Sequence, residues 1–520
     1  MKLEKKSLRE AEEWKKAGYE LPEYDLDIIQ ANTKKKPTWI HFGAGNIFRA
    51  FQAVAQQKLL NEKISDTGII VGEGYDSEII EKVYRKYDNL TIAVSMKQNG
   101  SMDKMVVGSV AESLLLKPET SDWLRLKEIF ENPALQMATF TITEKGYQIK
   151  NASGYLPQIK EDMQVGPEQA KSYMGCLTAL CYLRYLAGKL PLALVSMDNF
   201  SHNGDRLKMA VLTIAEVWEK NNLVEEGFSG YLQDETKISF PWSMIDKITP
   251  RPDSKIKEML ERTGLEGMDI FTTSANTYIA PFVNAEETEY LVIEDNFPNG
   301  RPKLEHAGIL FADRRTVECV EQMKVCTCLN PLHTGLAIFG CLLSYTSISK
   351  EMEDPLLREL AVQIGQEGMP VVVHPGILEP KQFLHEVLYV RLPNPYIPDT
   401  PQRIATDTSQ KLSIRYGETI KAYQKTGKSL EQLRAIPLVI AGWIRYLTGV
   451  DDFGNAMELS PDPRMTELRE KISDIAEKPE MVAGSILADA SVFGQDLSKT
   501  ELAEPVIGFL KEMLTGPHAV

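Results

Sequence analysis

The twelve residues TWIHFGAGNIFR, at positions 38–49, decide the fold of this chain. The apolar run at 39–42 suits a short buried strand, and Gly43 and Gly45 separate it from a helical pattern. Gly43 permits a tight turn there, and Gly45 lets the main chain approach a pyrophosphate at the helix N-terminus. The order of strand, glycine turn and helix predicts a dinucleotide-binding α/β domain.

The residues around this turn are the predicted cofactor ligands. Phe48 replaces the third glycine of the usual fingerprint and should hold the helix farther from the sheet, so an ordinary strand-to-helix turn stays an alternative. Glu73 ends the next predicted strand and is the first choice for binding the adenosine ribose, with Asp76 second; both also suit solvated loops. A carboxylate there favours NAD over NADP because it repels the 2′-phosphate. The predicted cofactor-binding residues are Gly43, Gly45, Asn46, Ile47, Phe48, Arg49 and Glu73.

The pattern of strands and helices divides the chain in two. In the first part, strand-like runs alternate with helical ones, at 38–43, 68–72, 137–143 and 192–197. A predicted hairpin around Asn99-Gly100 joins 91–96 to 105–110 and interrupts this alternation. The second part has long amphipathic runs, at 311–324, 331–347, 355–367, 401–424, 429–447 and 464–477. We predict a Rossmann-like domain with a mainly parallel sheet and a charged N-terminal leader over 1–298, and a mainly α-helical domain over 299–520.

Length and composition exclude several classes of function. At 520 residues the chain exceeds what one core usually organises, so two domains and a cleft between them are expected. A net charge of −15 opposes binding to nucleic acid or anionic membranes. The charged start MKLEKKSLREAEEWKK predicts neither export nor a membrane anchor, so a cytoplasmic protein is expected. The six cysteines fall mostly in apolar helical patterns, which predicts reduced thiols.

A second motif, KVCTCLNPLH at 324–333, brings an amine, an amide and an imidazole into one short stretch. These groups can take a proton from an alcohol, and together with a dinucleotide site they predict hydride transfer. Cys326, Cys328 and His333 also suggest a zinc site. That set supplies three ligands with no second pair to complete a tetrahedron, so no metal is expected.

Several blocks of sequence carry a resemblance to a known family. The blocks are GAGNIFRAFQ (43–52), TITEKGY (141–147), SMDNFSHNG (196–204), FPWSMIDKITP (240–250), VIEDNFPNGRP (292–302), LNPLHT (329–334) and NPYIPDTPQRIATDTSQKL (394–412). In this order and spacing they resemble the long-chain mannitol dehydrogenase family, from about residue 38 to 450. That family includes mannitol 2-dehydrogenases, fructuronate reductases and tagaturonate reductases.

The resemblance implies a metal-independent oxidoreductase whose general base is Lys324. Asn199 and Asn330 would hold the reacting oxygen, and His333 would assist substrate binding. Alternatives remain: Lys324 as a charge at a helix end, Asn330 as a helix N-cap and His333 as a packed core residue. This chain has one residue more between Lys324 and Asn330 than the family usually has. Because Pro331 suits the start of a helix, an irregular joint before Asn330 is expected to absorb it.

Further residues follow from the same resemblance. Asp246 would tune the active site, its alternatives being an ion pair with Lys247 or a turn cap. Arg403 and Lys411 lie eight residues apart on one predicted helix and would bind the substrate's hydroxyls or carboxylate. Their alternative is a solvated face with an Arg403–Asp407 pair.

Another alternative concerns the region of Asn199. There Asp198 and Asn203 are also candidates to cap the helix that begins near Asn203.

These expectations combine into an NAD-dependent oxidoreductase that acts on a secondary alcohol or ketone of a sugar acid. Segments 91–110 and 141–147 look closest to uronate reductases, which favours fructuronate reduction to mannonate. The alternatives are a polyol dehydrogenase of the mannitol type, an isomerase that keeps NAD bound, and a nucleotide-binding protein without activity.

Overall fold

In a computed structural model that describes all residues from Met1 to Val520, the chain forms two compact units, Met1–Val317 and Glu318–Val520. The division lies inside the helix Arg314–Met323 and comes later than the predicted boundary at 298/299. The reason is the strand Leu310–Ala312, which pairs in parallel with Tyr290–Glu294 in a sheet of the first unit.

A six-stranded sheet organises the first unit. Its strands, in chain order, are Trp39–Phe42, Ile69–Glu73, Val110–Leu115, Met137–Phe140, Leu192–Ser196 and Ile238–Ser239. All neighbouring strands are parallel, and their spatial order is third, second, first, fourth, fifth, sixth. This order reverses between the first and fourth strands, which is where such sheets bind dinucleotides. The predicted Rossmann-like domain is confirmed.

Both faces of this sheet are buried by helices. Along the first strand, Ile40 and Phe42 pack into one hydrophobic cluster and Trp39 into another, because successive side chains of a strand point to opposite faces. The helices of this unit are Ala11–Lys16, Leu26–Lys35, Ala53–Asn61, Ser77–Ile79, Ser121–Glu131, Thr143–Gly146, Pro157–Val165, Tyr173–Leu186, Asn203–Lys220, Phe228–Gln233 and Ser254–Arg262.

The predicted hairpin is confirmed, with one change. Thr91–Met96 pairs antiparallel with Met102–Val107, and Gly100 takes a positive φ of 83° in the turn. The predicted strand 105–110 is wrong as a single unit: one strand ends at Val107, and Val110–Leu115 joins the large parallel sheet.

Smaller sheets complete the first unit. The hairpin belongs to a four-stranded sheet with Phe282–Glu286 and with Tyr19–Glu20, so the charged leader is folded onto this unit. A three-stranded sheet comprises Ser243–Asp246, Tyr290–Glu294 and Leu310–Ala312. The two-stranded sheets are Phe271–Thr272 with Tyr278–Ile279 and Lys150–Asn151 with Gly154–Tyr155.

The second unit is helical, as predicted. Its two most apolar helices, Asn330–Leu342 and Ala435–Tyr446, are almost wholly buried. The other helices are Ile348–Glu351, Pro355–Gly368, Pro380–Glu386, Pro401–Ile404, Thr408–Leu412, Glu418–Lys425, Met465–Lys471, Pro479–Leu487, Ala490–Phe493 and Ala503–Met513. Three π-helical turns interrupt the α-helices, at Lys324–Cys328, Val387–Arg391 and Ser413–Gly417.

The predicted continuous helix over 401–424 is wrong. Asp407 adopts a left-handed conformation with φ 55°, and its N–H donates to the carbonyl of Pro461 at 2.8 Å. A left-handed residue ends a right-handed helix. Arg403 and Lys411 therefore lie on two separate helices, Pro401–Ile404 and Thr408–Leu412.

One helical run, Arg314–Leu342, has the length and apolar composition of a membrane span. Its most apolar window is 78% buried inside the protein. Interior helices share these properties, so the run is weak support for a span.

Candidate active site

The glycine turn follows the first strand, at the reversal of strand order. Gly43 has a φ of +109°, and a Cβ there would collide with the carbonyl of Thr141, so only glycine fits. At Gly45 a Cβ would meet nothing within 4 Å. The turn thus presents main chain to open space at Gly45, as binding of a phosphate at a helix N-terminus requires.

Glu73 fixes the shape of this turn. Its Oε2 accepts the N–H of Ala44 at 2.9 Å, and its Oε1 accepts the N–H of Tyr75 at 2.7 Å. Asp76 caps the helix Ser77–Ile79 and accepts the hydroxyl of Thr273 at 2.6 Å. Both carboxylates are buried, so the solvated-loop alternative is wrong for each.

The next side chains of the motif point into the protein. Phe48 is fully buried and stacks on His41 with ring centroids 4.2 Å apart, which fills the space that a third glycine would leave. The buried Arg49 guanidinium donates to the carbonyl of Ala280 at 2.7 Å and to Asn46 Oδ1 at 2.9 Å. Ile47 packs against the same core as Phe48. These side chains support the turn from inside the protein, and the cofactor-binding role of their residues stays a prediction.

His41 lies beneath the turn. Its Nδ1 is 2.7 Å from the hydroxyl of Thr139 and its Nε2 is 2.9 Å from that of Thr141. Complete burial lowers the pKa of His41 to about 3, so the ring is neutral under ordinary conditions.

A second set of polar groups lies at the ends of the fourth and fifth strands. The Asp198 carboxylate accepts the N–H groups of Ile142 and Thr143 at 2.9 and 3.0 Å, and the hydroxyl of Tyr147 at 2.6 Å. Thr143 has a positive φ of 62°, which is uncommon outside glycine and concentrates at functional sites. Asn199 follows Asp198 directly. The blocks SMDN and TITEKGY contained these groups, but sequence reasoning assigned only Asn199.

The capping alternative for Asp198 and Asn203 is wrong. His202 occupies the N-cap of Asn203–Lys220 without a side-chain hydrogen bond. Asn203 is instead buried and exchanges hydrogen bonds of 3.0 Å with Ser243, in the strand Ser243–Asp246.

The same strand, Ser243–Asp246, ends at the buried Asp246. Lys247 pairs with Glu289 at 2.7 Å. Glu289 is thus the carboxylate that pairs with Lys247, and the role of Asp246 stays a prediction.

In the second unit, Lys324 begins a π-helical turn and its side chain is buried, with 3% of the residue exposed. The N–H of Leu329 donates to the Lys324 carbonyl at 3.1 Å, a bond that spans one residue more than an α-helical bond. Lys324 directly follows the helix Arg314–Met323, so its alternative as a charge at a helix end stays open. Asn330 begins the next helix, and Leu329 occupies its N-cap, so the capping alternative for Asn330 is wrong.

His333 is buried beside a carboxylate. Its Nε2 lies 3.2 Å from Oδ2 of Asp399, at ion-pair distance but without the alignment of a hydrogen bond. Burial lowers the pKa of His333 against the pull of Asp399, and the charges of Arg391 and Arg415 lower it further. The ring is therefore neutral near pH 7 and can both donate and accept a hydrogen bond.

The two predicted substrate-binding cations differ in their surroundings. Arg403 is 61% exposed and pairs with Asp399, not with Asp407 as the alternative had it. Lys411 is half-buried and donates to the carbonyls of Ile404 and Thr406. Burial, followed by the charge of Arg415, lowers the pKa of Lys411 to about 8.

Burial raises the pKa of the Cys326 and Cys328 thiols to about 12. The protein contains no group of three or more His, Cys, Asp or Glu side chains placed to hold a metal ion.

Two family models together match most of the chain. The one described as the mannitol dehydrogenase Rossmann domain covers residues 37–306, and the one described as the mannitol dehydrogenase C-terminal domain covers residues 316–514. The chain belongs to the mannitol dehydrogenase family. The resemblance seen in the sequence is therefore confirmed, and with it the expectation of an oxidoreductase.

Individual members of the mannitol dehydrogenase family are similar over 90% or more of both chains. A D-mannonate oxidoreductase of Thermotoga maritima is 53% identical, over 100% of this chain and 98% of the relative. A D-mannonate oxidoreductase of Escherichia coli is 29% identical over 90% of this chain and 93% of its own. The solved ternary complex of Pseudomonas fluorescens mannitol 2-dehydrogenase with NAD and D-mannitol has 26% identity and a TM-score of 0.70, covering 99% and 97% of the two chains.

The π-helical turn at Lys324 can accommodate the additional residue that the sequence resemblance implied between Lys324 and Asn330. A π-helical turn holds one residue more than an α-helical turn. The predicted irregular joint is confirmed, and it lies where the sequence placed it, directly before Asn330.

Proposed function

We propose that this chain is an NAD-dependent oxidoreductase that interconverts D-fructuronate and D-mannonate. The main support is the 53% identity, over the whole of this chain, to a protein named D-mannonate oxidoreductase. The chain also keeps the residue types that such a reaction needs, in both of its units.

The first unit fits a dinucleotide. Gly45 leaves open space at the turn, the strand order reverses beside it, and the buried carboxylate of Glu73 ends the second strand. When bound, NAD supplies the nicotinamide that accepts or donates the hydride. Gly43, Gly45 and Asn46 would hold its pyrophosphate through their main chain, and Glu73 or the adjacent turn would meet its ribose.

The second unit would supply the acid–base group. In the oxidation direction Lys324 takes the proton of the substrate hydroxyl, and in the reduction direction it returns that proton. Asn199 and Asn330 would donate hydrogen bonds to the oxygen as negative charge develops on it. His333, oriented by Asp399, would bind a neighbouring hydroxyl, and Asp246 would tune the charge around the base.

A substrate panel tests this proposal. Purified enzyme is mixed with NADH or NADPH and with fructuronate, tagaturonate or fructose, and the fall in near-ultraviolet absorbance is followed. We expect the highest kcat/KM for fructuronate with NADH. A clear preference for fructose, or for mannitol in the reverse direction, would instead support the mannitol-type activity. Conversion of substrate without net change in NADH would support an isomerase.

A further inference from the structure

Two cations of the second unit lie together, and neither of them forms an ion pair. Arg415, in the π-helical turn Ser413–Gly417, donates from Nη1 to the hydroxyl of Thr334, the residue after His333. Arg415 is also close enough to Lys411 and to His333 to lower the pKa of each. We call Arg415 and Lys411 the cationic pair.

No carboxylate lies at ion-pair distance from the cationic pair, although the more distant charges of Asp407 and Asp462 act on Lys411 and raise its pKa. Neither Arg415 nor Lys411 forms an ion pair, whereas Asp399 is engaged by His333 and Arg403. Asp462 is likewise bound to the N–H and hydroxyl of Ser409, at 2.8 and 2.6 Å. Burying unpaired positive charge costs free energy unless a counter-ion arrives. In a chain of net charge −15, such a site is an exception that suits an anionic ligand.

The geometry of Arg415 leaves donors for that ligand. Nη1 is the atom of this side chain that donates to a protein acceptor. Nε and Nη2 make no hydrogen bond within the protein and are not enclosed away from solvent. A guanidinium with two remaining N–H directions matches the two oxygens of a carboxylate. Lys324 and Arg415 both occupy π-helical turns, which are frequent at functional sites.

We propose that Arg415, assisted by Lys411, binds the carboxylate of the sugar-acid substrate. This inference rests on the proposed hexuronate activity. It moves the carboxylate contact away from Arg403, which is more exposed than buried and already neutralised by Asp399.

The test compares Arg415→Gln and Arg415→Lys with Arg358→Gln, a control that removes the same charge from an exposed arginine of the same unit. For each protein, kcat and KM are measured for fructuronate and for the neutral fructose, and NADH binding is measured by fluorescence. Where fructose turns over too slowly, its binding is measured as competitive inhibition.

We expect Arg415→Gln to raise the KM for fructuronate roughly 10- to 100-fold, the usual effect of losing a charge-assisted contact. Its kcat, its affinity for NADH and its KM for fructose should change little, and Arg415→Lys should recover part of the loss. Arg358→Gln should resemble the wild type.

Other results overturn the inference. An equal loss on fructuronate and fructose would mean that Arg415 only supports the fold through Thr334. An unchanged KM in Arg415→Gln with a raised KM in Arg403→Gln would return the carboxylate contact to Arg403. If the wild type itself acts on neutral sugars and not on hexuronates, the proposed function fails and the carboxylate role of Arg415 fails with it.

Discussion

At the scale of single residues, the buried Lys324 is the position at which the proposed chemistry is easiest to test. Replacing Lys324 by Ala should lower kcat by roughly 10²- to 10⁴-fold, because the alcohol loses its proton acceptor. NADH binding should change little, since the predicted cofactor residues lie in the first unit. The matched control is Lys350→Ala, an exposed lysine that pairs only with Glu353. Retention of kcat in the Lys324 variant would rule out a general base there.

Lys411 makes binding of an acidic substrate dependent on pH. Its pKa, lowered by burial and by Arg415 to about 8, means that the amine is charged below that pH and neutral above it. The KM for fructuronate should therefore rise as the pH increases through about 8, whereas the KM for fructose should not. The variant Lys411→Arg keeps its charge over the whole range and should remove the rise. The same rise in that variant would assign the pH dependence to another group.

The residues that sequence reasoning missed share one property. Asp198 and Arg415 act through partners far along the chain, Asp198 through the loop at 142–147 and Arg415 through Thr334. Local patterns do not encode such contacts. Lys324, Asn330 and His333 were visible because they fall within ten consecutive residues.

At the scale of elements, the glycine turn allows a contrast between two similar substitutions. Gly45→Ala adds a methyl group where the protein leaves space, so the variant should keep the wild-type Tm but bind NADH at least roughly tenfold more weakly. Gly43→Ala should lower Tm as well, because its Cβ collides with Thr141 at a positive φ. Gly484→Ala, which also adds a methyl group into open space, is the control. Unchanged NADH affinity in Gly45→Ala would place the cofactor elsewhere.

The loop after the fourth strand is held by the carboxylate of Asp198. Both carboxylate oxygens of Asp198 accept hydrogen bonds, whereas the amide of Asp198→Asn has only one oxygen. Its NH₂ group must face a donor, and the lost hydrogen bond should lower the free energy of unfolding by about 1–3 kcal/mol. Because Asn199 is the next residue, kcat should fall as well. Thermal unfolding and kcat are compared with Asp66→Asn, an exposed position in the same unit. A variant with wild-type Tm and kcat would show that the loop does not need the carboxylate.

Element prediction succeeded where the pattern is local. The strand and turn at 38–45 and the hairpin at Asn99-Gly100 follow from apolar runs and glycines that any reader of the sequence can see. The helix break at Asp407 does not, because the left-handed conformation there is stabilised by a hydrogen bond to Pro461. The pattern of apolar residues continues through the break and gives no sign of it.

At the scale of the whole molecule, the net charge and the cationic pair act in opposite directions on an anionic substrate. The net charge of −15 repels such a substrate over long distances. At physiological ionic strength, salt screens this repulsion beyond a Debye length of about 8 Å. The direct contact with Arg415 is shorter and less screened. Raising the salt concentration from a low value to physiological ionic strength should therefore increase kcat/KM for fructuronate. The kcat/KM for fructose should not change. A decrease for fructuronate would show that local attraction governs capture.

The imidazole beneath the glycine turn sets a limit on the acidity that the enzyme tolerates. His41 is neutral in the folded protein down to about pH 3, whereas in an unfolded chain it gains a proton near its ordinary value of 6.5. Its depressed pKa therefore contributes stability that is complete above pH 6.5 and is lost as the pH falls toward 3. Acidification should therefore destabilise the protein at the strand below the glycine turn. The bound cofactor should be released as the protein unfolds.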